Sequence, residues 1–459
     1  MQQLLELLTM EQDWSSGTME LKELSSILQQ NGIVGAGGAG FPTYAKLNEN
    51  AETIIMNCAE CEPLLRLHRQ LLEKNAREIV ETFYMMGQTM GSKDIVIGIK
   101  KAYKDAIEAL NAVIGDYEGV RLGLLDEVYP AGDEVVLIYE VTGKVVRPGG
   151  LPIECGVAVF NVETVYNVYR AIKKNTPVVD KLVSVVAEVH NPVTVRVPLG
   201  TSIEEVVQLA GGKTVKNAVY FIGGPMMGRI GTGAEPVTKT TNAVLVLPED
   251  HLIIQKKKRK ASIDLKRAAA SCCQCTMCTD LCPRNRLGHP IEPHKFMRAA
   301  TCKDVQDTNI FVNTLFCSSC GLCEMYSCMQ SLSPRSLMAD YKGGLRAAGV
   351  KPPQGVVPKP VGEEREYRKV PMERLMARLD LTKYNKEAPL DNEVIDMKKV
   401  RILLSQHIGA PATAVVKVGD KVERGQMIAE PGKGLSVAIH ASISGTVTEV
   451  TEKYVVIEK

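Results

Sequence analysis

No apolar run in the 459-residue chain approaches the ~18 residues that a membrane-spanning helix needs, so no transmembrane segment is expected. A dominant charge is missing as well. Lys and Arg total 55 against 53 Asp and Glu, a balance that gives no overall attraction to nucleic acid or to an anionic membrane. The opening "MQQLLELLTMEQDW" has neither the basic region nor the small-residue cleavage site of a secretory signal, which predicts a cytoplasmic protein in a reducing compartment. Nor is cysteine spread through the chain as in a small secreted disulfide scaffold. Of the 13 cysteines, all but Cys58, Cys61 and Cys155 fall in the segment from Cys272 to Cys328. In a large intracellular chain such clustering points to metal.

The length exceeds what one core supports and predicts several domains. Residues 1–14 carry Leu4, Leu5, Leu7 and Leu8 in an amphipathic pattern, and after the polar break "SSGTME" a second helical pattern stops at Asn31-Gly32. The first unit is therefore an N-terminal amphipathic helix with a lead-in helix, 1–30. From 31 to 178 strand-like runs ("TIIM", "DIVIGI", "VRLGLL") alternate with helical ones, which predicts an α/β domain with a largely parallel sheet. Residues 179–250 read as strand, hairpin, helix and strand, a small β-grasp unit. Residues 251–345 are mostly helical between cysteine motifs. The Pro/Lys/Glu-rich segment 346–400 reads as a linker with some helix in "VPMERLMARL", and 401–459 is β-rich with two glycine-punctuated half-repeats. The basic run Lys256 to Lys260, "KKKRK", reads as a solvated linker; the competing reading is a docking patch for an acidic partner.

Cys272, Cys275, Cys278 and Cys282 form C-x2-C-x2-C-x3-C followed by Pro283, the ferredoxin spacing for a [4Fe–4S] cluster. Cys317, Cys320, Cys323 and Cys328 form a second set, C-x2-C-x2-C-x4-C. In two-cluster ferredoxins the fourth cysteine of a run ligates the other cluster. That rule assigns Cys272, Cys275, Cys278 and Cys328 to one cluster, and Cys317, Cys320, Cys323 and Cys282 to the other. Zinc is the competing metal, but its sites usually take two separated C-x2-C pairs. Cys273 and Cys302 fall outside the pattern, and Cys58, Cys61 and Cys155 build no four-ligand set.

The loop "GIVGAGGAGFPTYAKL", residues 32–47, spells G-x-G-x-x-G through Gly35, Gly37 and Gly40. A Rossmann loop follows a buried strand and opens a helix. Here a helix leads in and Phe41-Pro42 leads out; only Glu60, twenty residues beyond Gly40, favours the Rossmann reading. Together with "NCAECEP" (57–63), "YPAGDE" (129–134) and "NVET" (161–164), the loop resembles the flavin-binding domain of the NADH-oxidising subunit of respiratory complex I. It is still more similar to the C subunit of the Rnf electron-transport complex. The resemblance runs on through "GGPMMG" (223–228) in a β-grasp domain called SLBB in these families, and through the cysteine motifs. The last sixty residues resemble the barrel-sandwich hybrid domain that opens the Rnf C subunit but here closes the chain. That displaced order, with "CSSCGLCEMYSC" and "SLSPRSL", resembles the propanediol-utilisation cobalamin reductase family. Met329 departs from the pattern, in which a proline commonly follows the last cysteine.

The resemblance implies an NADH:acceptor oxidoreductase that passes electrons from NADH to FMN, then to two [4Fe–4S] clusters, and finally to a corrinoid in a bacterial microcompartment. It implies that Gly35, Gly37 and Gly38 let backbone amides approach FMN and that Lys46 supplies a cation. Asn57 and Glu60 would contact the flavin or its ribityl chain, Asn161 and Thr164 the phosphate end. Phe41 and Glu62 match positions for the nicotinamide nucleotide, and Glu134 belongs to the "YPAGDE" signature of the same site. Ala36 and Ala59 depart from the complex I motif, which has arginine and aspartate there. A non-corrinoid or protein electron acceptor, in a glycyl-radical microcompartment or an Rnf-type complex, is the alternative. A non-enzymatic biotinyl- or lipoyl-like carrier would rest on Lys433 in "EPGKG", which lacks the usual carrier contexts. Residues 1–18 read either as an encapsulation peptide docking on microcompartment shell or core enzymes, or as a helix packed on the protein itself.

Overall fold

The computed structural model describes residues 19–302 and 305–459, so the encapsulation reading of residues 1–18 falls outside the described residues. The lead-in helix Leu21–Gln30 buries Leu24 and Leu28, one turn apart on a single face, and ends at Asn31 and Gly32, where the chain turns back at φ +69°. It delivers the chain directly into the glycine loop.

The expected parallel sheet is present, in the order Val120–Leu125, Asp94–Lys100, Thr53–Asn57, Val157–Asn161. Alternation along the strands sorts the two faces. Ile54 and Met56 enter the main core with Ile79, Val80 and Phe83 of the helix Ala76–Met90 and with Val165 and Val168 of the helix Val162–Lys173. Ile55, Val96, Val157 and Val159 meet Val135, Val136 and Leu137 of the helix Glu134–Thr142 on the other face. The chain begins at Thr53–Asn57, steps outward twice, and returns to the opposite side through Val157–Asn161. This is a topological switch, and Asn57 and Asn161 sit opposite each other at the carboxyl ends of the two strands that define it.

Residues 180–248 form the β-grasp unit as expected: Asp180–Ala187 pairs antiparallel with Val193–Pro198 and parallel with Ala243–Pro248, and a capping box of Ser202 and Glu205 starts the helix Ile203–Leu209. The segment expected to be a linker, 346–400, is stitched into the fold instead. Val370–Pro371 pairs with Val128–Tyr129, the helix Met372–Arg378 buries Leu375 in the main core, and Leu390–Val394 adds a parallel edge strand beside Val193–Pro198. The helix expected in "VPMERLMARL" is there, and the apolar spacing Met372, Leu375, Leu379 seats it on the core; the polar average of the segment concealed that burial.

The β-rich C-terminal region makes a four-stranded and a three-stranded sheet. Its Ile402, Ile428 and Ile457 share one core with Val183, Val185 and Val244 of the β-grasp sheet. One buried carboxylate ties three regions together. Asp180 accepts from Arg170 at 2.7 Å, Arg196 at 2.8 Å and Arg424 at 2.6 Å, and these cations hold its carboxyl well below the usual carboxylate range. Among the described residues no helix is long and apolar enough to cross a membrane.

Candidate functional site

At the switch point lies a cavity of about 390 Å³. All eleven residues singled out as cofactor-binding line it: Gly35, Gly37, Gly38, Phe41, Lys46, Asn57, Glu60, Glu62, Glu134, Asn161 and Thr164. The glycine loop forms one wall. Gly35 N donates to Phe41 O at 2.9 Å, closing the loop on itself, and Ala36 N donates to Thr164 Oγ1 at 2.9 Å, anchoring it to the helix Val162–Lys173. A Cβ on Gly38, at φ +62°, would meet nothing within 4 Å, so the loop shows bare backbone to the cavity. Gly40 faces the opposite way: a Cβ there would lie 2.9 Å from Thr240 Cγ2 and 3.3 Å from Gln406 O. The terminal domain thus sits on the outside of the loop, and Ile408 N donates to Ala39 O at 3.0 Å.

Each polar group of the opposite wall is placed by its own element. Asn57 Nδ2 donates to Gly132 O at 3.0 Å, and Asn161 caps its helix by accepting from Glu163 N at 2.9 Å. Lys46 Nζ reaches Val159 O at 3.0 Å and Glu134 Oε1 at 3.3 Å, and stands 5.9 Å from the Phe41 ring centroid at the rim. Glu60 is buried, and neither of its carboxylate oxygens has a hydrogen-bond partner; Thr43 Oγ1 and Asn242 Oδ1, on the same cavity, are equally unpartnered. Orphaned polar atoms of this kind are costly unless a ligand meets them. Donors on a ribityl chain or a flavin ring would answer these acceptors, and the bare loop amides would answer phosphate, so the site fits FMN.

Glu62, expected at the nicotinamide nucleotide, lines the cavity and also bridges two domains. Its two oxygens accept from Met226 N at 2.8 Å and Met227 N at 3.0 Å, latching the "GGPMMG" loop of the β-grasp unit to the cavity. Burial raises its pKa to about 7 against the pull of those amides and of Lys257. Motif reading also missed His68. It lines the cavity and stands 3.3 Å from the buried Glu163 carboxylate, which Lys181 also pairs and whose pKa is lowered to about 2 even though its burial acts the other way. His68 and Asn242 carry no local motif; only the fold brings them to the wall.

The thiols gather in two groups. Cys272, Cys275, Cys278 and Cys328 line one small pocket together with Cys273. Cys282 lies within electrostatic reach of Cys317 and Cys320, and Cys323 of the same two. Burial and neighbouring thiols push Cys278 up to about 12, and burial pushes Cys282 up to about 11; ligation by iron is what deprotonates such thiols. Among the described residues no three His, Cys, Asp or Glu side chains converge on one point as single-ion ligands do. A cubane places each thiolate on its own iron and spreads its ligands more widely. The second group reaches toward the cavity through Tyr129, buried within electrostatic reach of Cys61 and Glu62: its OH donates to Cys320 O at 2.6 Å, and Arg284, beside Cys282 and Cys320, pairs with Asp133 at 2.9 Å. Asp133 in turn caps the cavity helix Glu134–Thr142. The first group opens outward, with Cys275 and Met329 exposed.

The run "KKKRK" is not a solvated linker. It closes the helix Leu252–Lys258; Lys256 is buried and donates to Glu324 O at 2.9 Å, and Lys257 donates to Gly228 O at 2.8 Å. Their long apolar stems let them cross the interior and spend each charge on a carbonyl.

Four family models match the chain: the Nuo51 FMN-binding domain over residues 28–170, the SLBB domain over 182–230, a 4Fe-4S dicluster domain over 271–333 and the RnfC barrel sandwich hybrid domain over 381–459. Cobalamin reductase PduS of Salmonella typhimurium is 40% identical over 96% of this chain and 97% of its own length. Its counterpart of that name in Citrobacter freundii is 39% identical over 93% and 94%. A crystal structure of an NAD+-reducing [NiFe]-hydrogenase aligns at 19% identity and a TM-score of 0.48, covering 73% of this chain and 64% of its own.

Proposed function

The chain belongs to the cobalamin reductase PduS family, and on that premise we propose that it takes electrons from NADH and delivers them through FMN and two [4Fe–4S] clusters to a corrinoid. The division of labour follows four of the segments: residues 31–178 bind FMN and NADH, 179–250 form the SLBB unit, 251–345 carry the clusters, and 401–459 brace the flavin loop from outside. Gly35, Gly37 and Gly38 offer backbone to the phosphate and ring. Asn161 and Thr164 hold the phosphate end of the cavity, Lys46 and Glu134 supply a paired charge, and Asn57 and Glu60 accept from the flavin or its ribityl chain. Phe41, exposed at the rim, is positioned to stack a nicotinamide, and Glu62 shapes the adjoining wall. Bound FMN supplies the conversion of a hydride donor into single-electron steps.

The single observation that supports the route is the hydrogen bond from Tyr129 to the carbonyl of Cys320. Tyr129 is buried within electrostatic reach of the cavity residues Cys61 and Glu62, so the bond sets the group Cys282, Cys317, Cys320 and Cys323, whose Cys323 is buried, toward the cavity, while the other group has Cys275 exposed. On this reading electrons enter by the group nearer the cavity and leave by the group with Cys275 at the surface, where a bulky acceptor has access. On the same family premise the protein works inside a microcompartment and residues 1–18 dock on its shell or core enzymes; deleting them should abolish packaging and spare NADH oxidation.

The test is anaerobic purification with iron, sulfide and flavin analysis, followed by NADH titration with and without cob(II)alamin. About eight irons and one FMN per chain are expected, with the cofactors and then the corrinoid reduced in turn. Zinc without flavin would overturn the reading. Clusters that reduce while the corrinoid stays oxidised would remove the acceptor and leave the oxidoreductase.

A further inference from the structure

Two lysines differ from the paired charges around the thiol groups. Arg284 is neutralised by Asp133, and the Glu324 carboxylate is turned to Ser336, accepting from its N at 2.8 Å and its Oγ at 3.0 Å. Lys342, on the helix Pro334–Ala347, instead donates to the carbonyl of Cys317 at 2.7 Å. Lys256 donates to the carbonyl of Glu324, in the short helix Leu322–Met325 that carries Cys323 and leads to Cys328. Among the described residues neither ammonium is within 4 Å of a carboxylate. Lys342 is half-buried within reach of Cys317, and Lys256 is buried within reach of Cys328. Each thiol group thus has a lysine beside it with no carboxylate at ion-pair distance; Glu324 acts on Lys256 from further off, and Arg378 also reaches the carbonyl of Cys328, at 3.4 Å.

We propose that Lys342 and Lys256 are potential-setting residues, each raising the reduction potential of the cluster beside it: Lys342 that of the group holding Cys317, Lys256 that of the group holding Cys328. Reducing a cluster adds one negative charge to a site that already carries four thiolates. Hydrogen bonding, net charge and solvent exposure then decide how readily the electron is taken. An ammonium in a poorly solvated setting interacts with that added charge far more strongly than one in water. A lysine kept only to satisfy a loop carbonyl would hold the loop equally well but would leave no trace in the potential.

This rests on the cluster assignment above but not on the identity of the acceptor, because it is tested without NADH or corrinoid. Lys342→Met and Lys256→Met, with Lys342→Arg and Lys256→Arg as charge-keeping controls, are purified anaerobically. Each is titrated potentiometrically with mediators while the two reduced clusters are followed by electron paramagnetic resonance. In each Met variant one midpoint, a different one in the two variants, should move to lower potential while the other stays in place, and the Arg variants should stay near the unaltered protein. Should a Met variant lose iron, the matching Gln variant, which keeps an N–H donor without charge, serves in its place and must show the same shift. Unmoved midpoints in variants with full iron, or equal shifts in the Met and Arg variants, would overturn the inference. Iron missing from the unaltered chain would instead overturn the cluster assignment that underlies it.

Discussion

Replacing Thr164 with valine should strip FMN from a protein that still folds and still holds its iron. The hydroxyl of Thr164 accepts from Ala36 N at 2.9 Å and also reaches Val34 O, at 3.4 Å, so it pins the glycine loop at two points. Both Ala36 and Thr164 are almost wholly buried, so in the valine variant no water replaces the lost partner. A buried amide left unpaired costs about 1–3 kcal/mol. Without FMN the loop can shift until that amide finds water; with FMN it must return to its buried course, so the cost falls on binding. At 1.4 kcal/mol per tenfold, the dissociation constant of FMN should rise roughly 5- to 150-fold. Flavin fluorescence quenching on the flavin-free protein measures this, with Thr164→Ser as the control that restores the hydroxyl. A valine variant whose affinity stays within about threefold of the original would refute the idea that this contact holds the loop in its binding shape.

Asp180→Asn should lower the unfolding free energy by about 3–5 kcal/mol, because Arg170, Arg196 and Arg424 lose the one carboxylate they share. The same carboxyl is held below its ordinary 3.8, so its stabilisation is complete above that pH and is lost as pH falls through its lower native value; urea unfolding of both proteins from pH 3 to 6 shows this. Glu62 has the opposite sign. Its pKa is raised from 4.5 to about 7, so the folded state binds the extra proton across that window and stability declines as pH rises through it, a slope that Glu62→Gln should flatten in urea midpoints. Cys278→Ser and Cys323→Ser should each remove about half of the iron, since each belongs to a different thiol group, and iron analysis after anaerobic purification reads this directly.

Much of the site was legible because its signals are local. The x2 spacing of the cysteines sets three thiols on one tight turn, and the loop "GAGGAG" can do little except bend sharply and bare its backbone. Asn161 was marked by "NVET", and the structure adds that it and Asp133 each cap the helix that follows. Glu62 was found as a cavity residue, but its partners, the amides of Met226 and Met227, are 164 and 165 residues away and lie outside its motif. His68 and Asn242 had no motif to mark them. The basic run misled because composition describes a segment's average polarity, while burial of Lys256 depends on a carbonyl 68 residues further on.

The amino-acid sequence by itself determined the inventory: which thiols bind in threes, which loop is bare, which runs are strands or helices, and the family to which the whole chain belongs. These rest on spacing and on interactions within a few residues, which every copy of the chain makes regardless of how distant parts meet. The tertiary structure alone decided the pairings across distance. It seated the terminal domain against Ala39 and Gly40, drew a supposed linker into the β-grasp sheet, and set Lys256 and Lys342 beside the thiols. Such contacts form only when separately built surfaces bury one another, and no short window of sequence contains both halves of that interface.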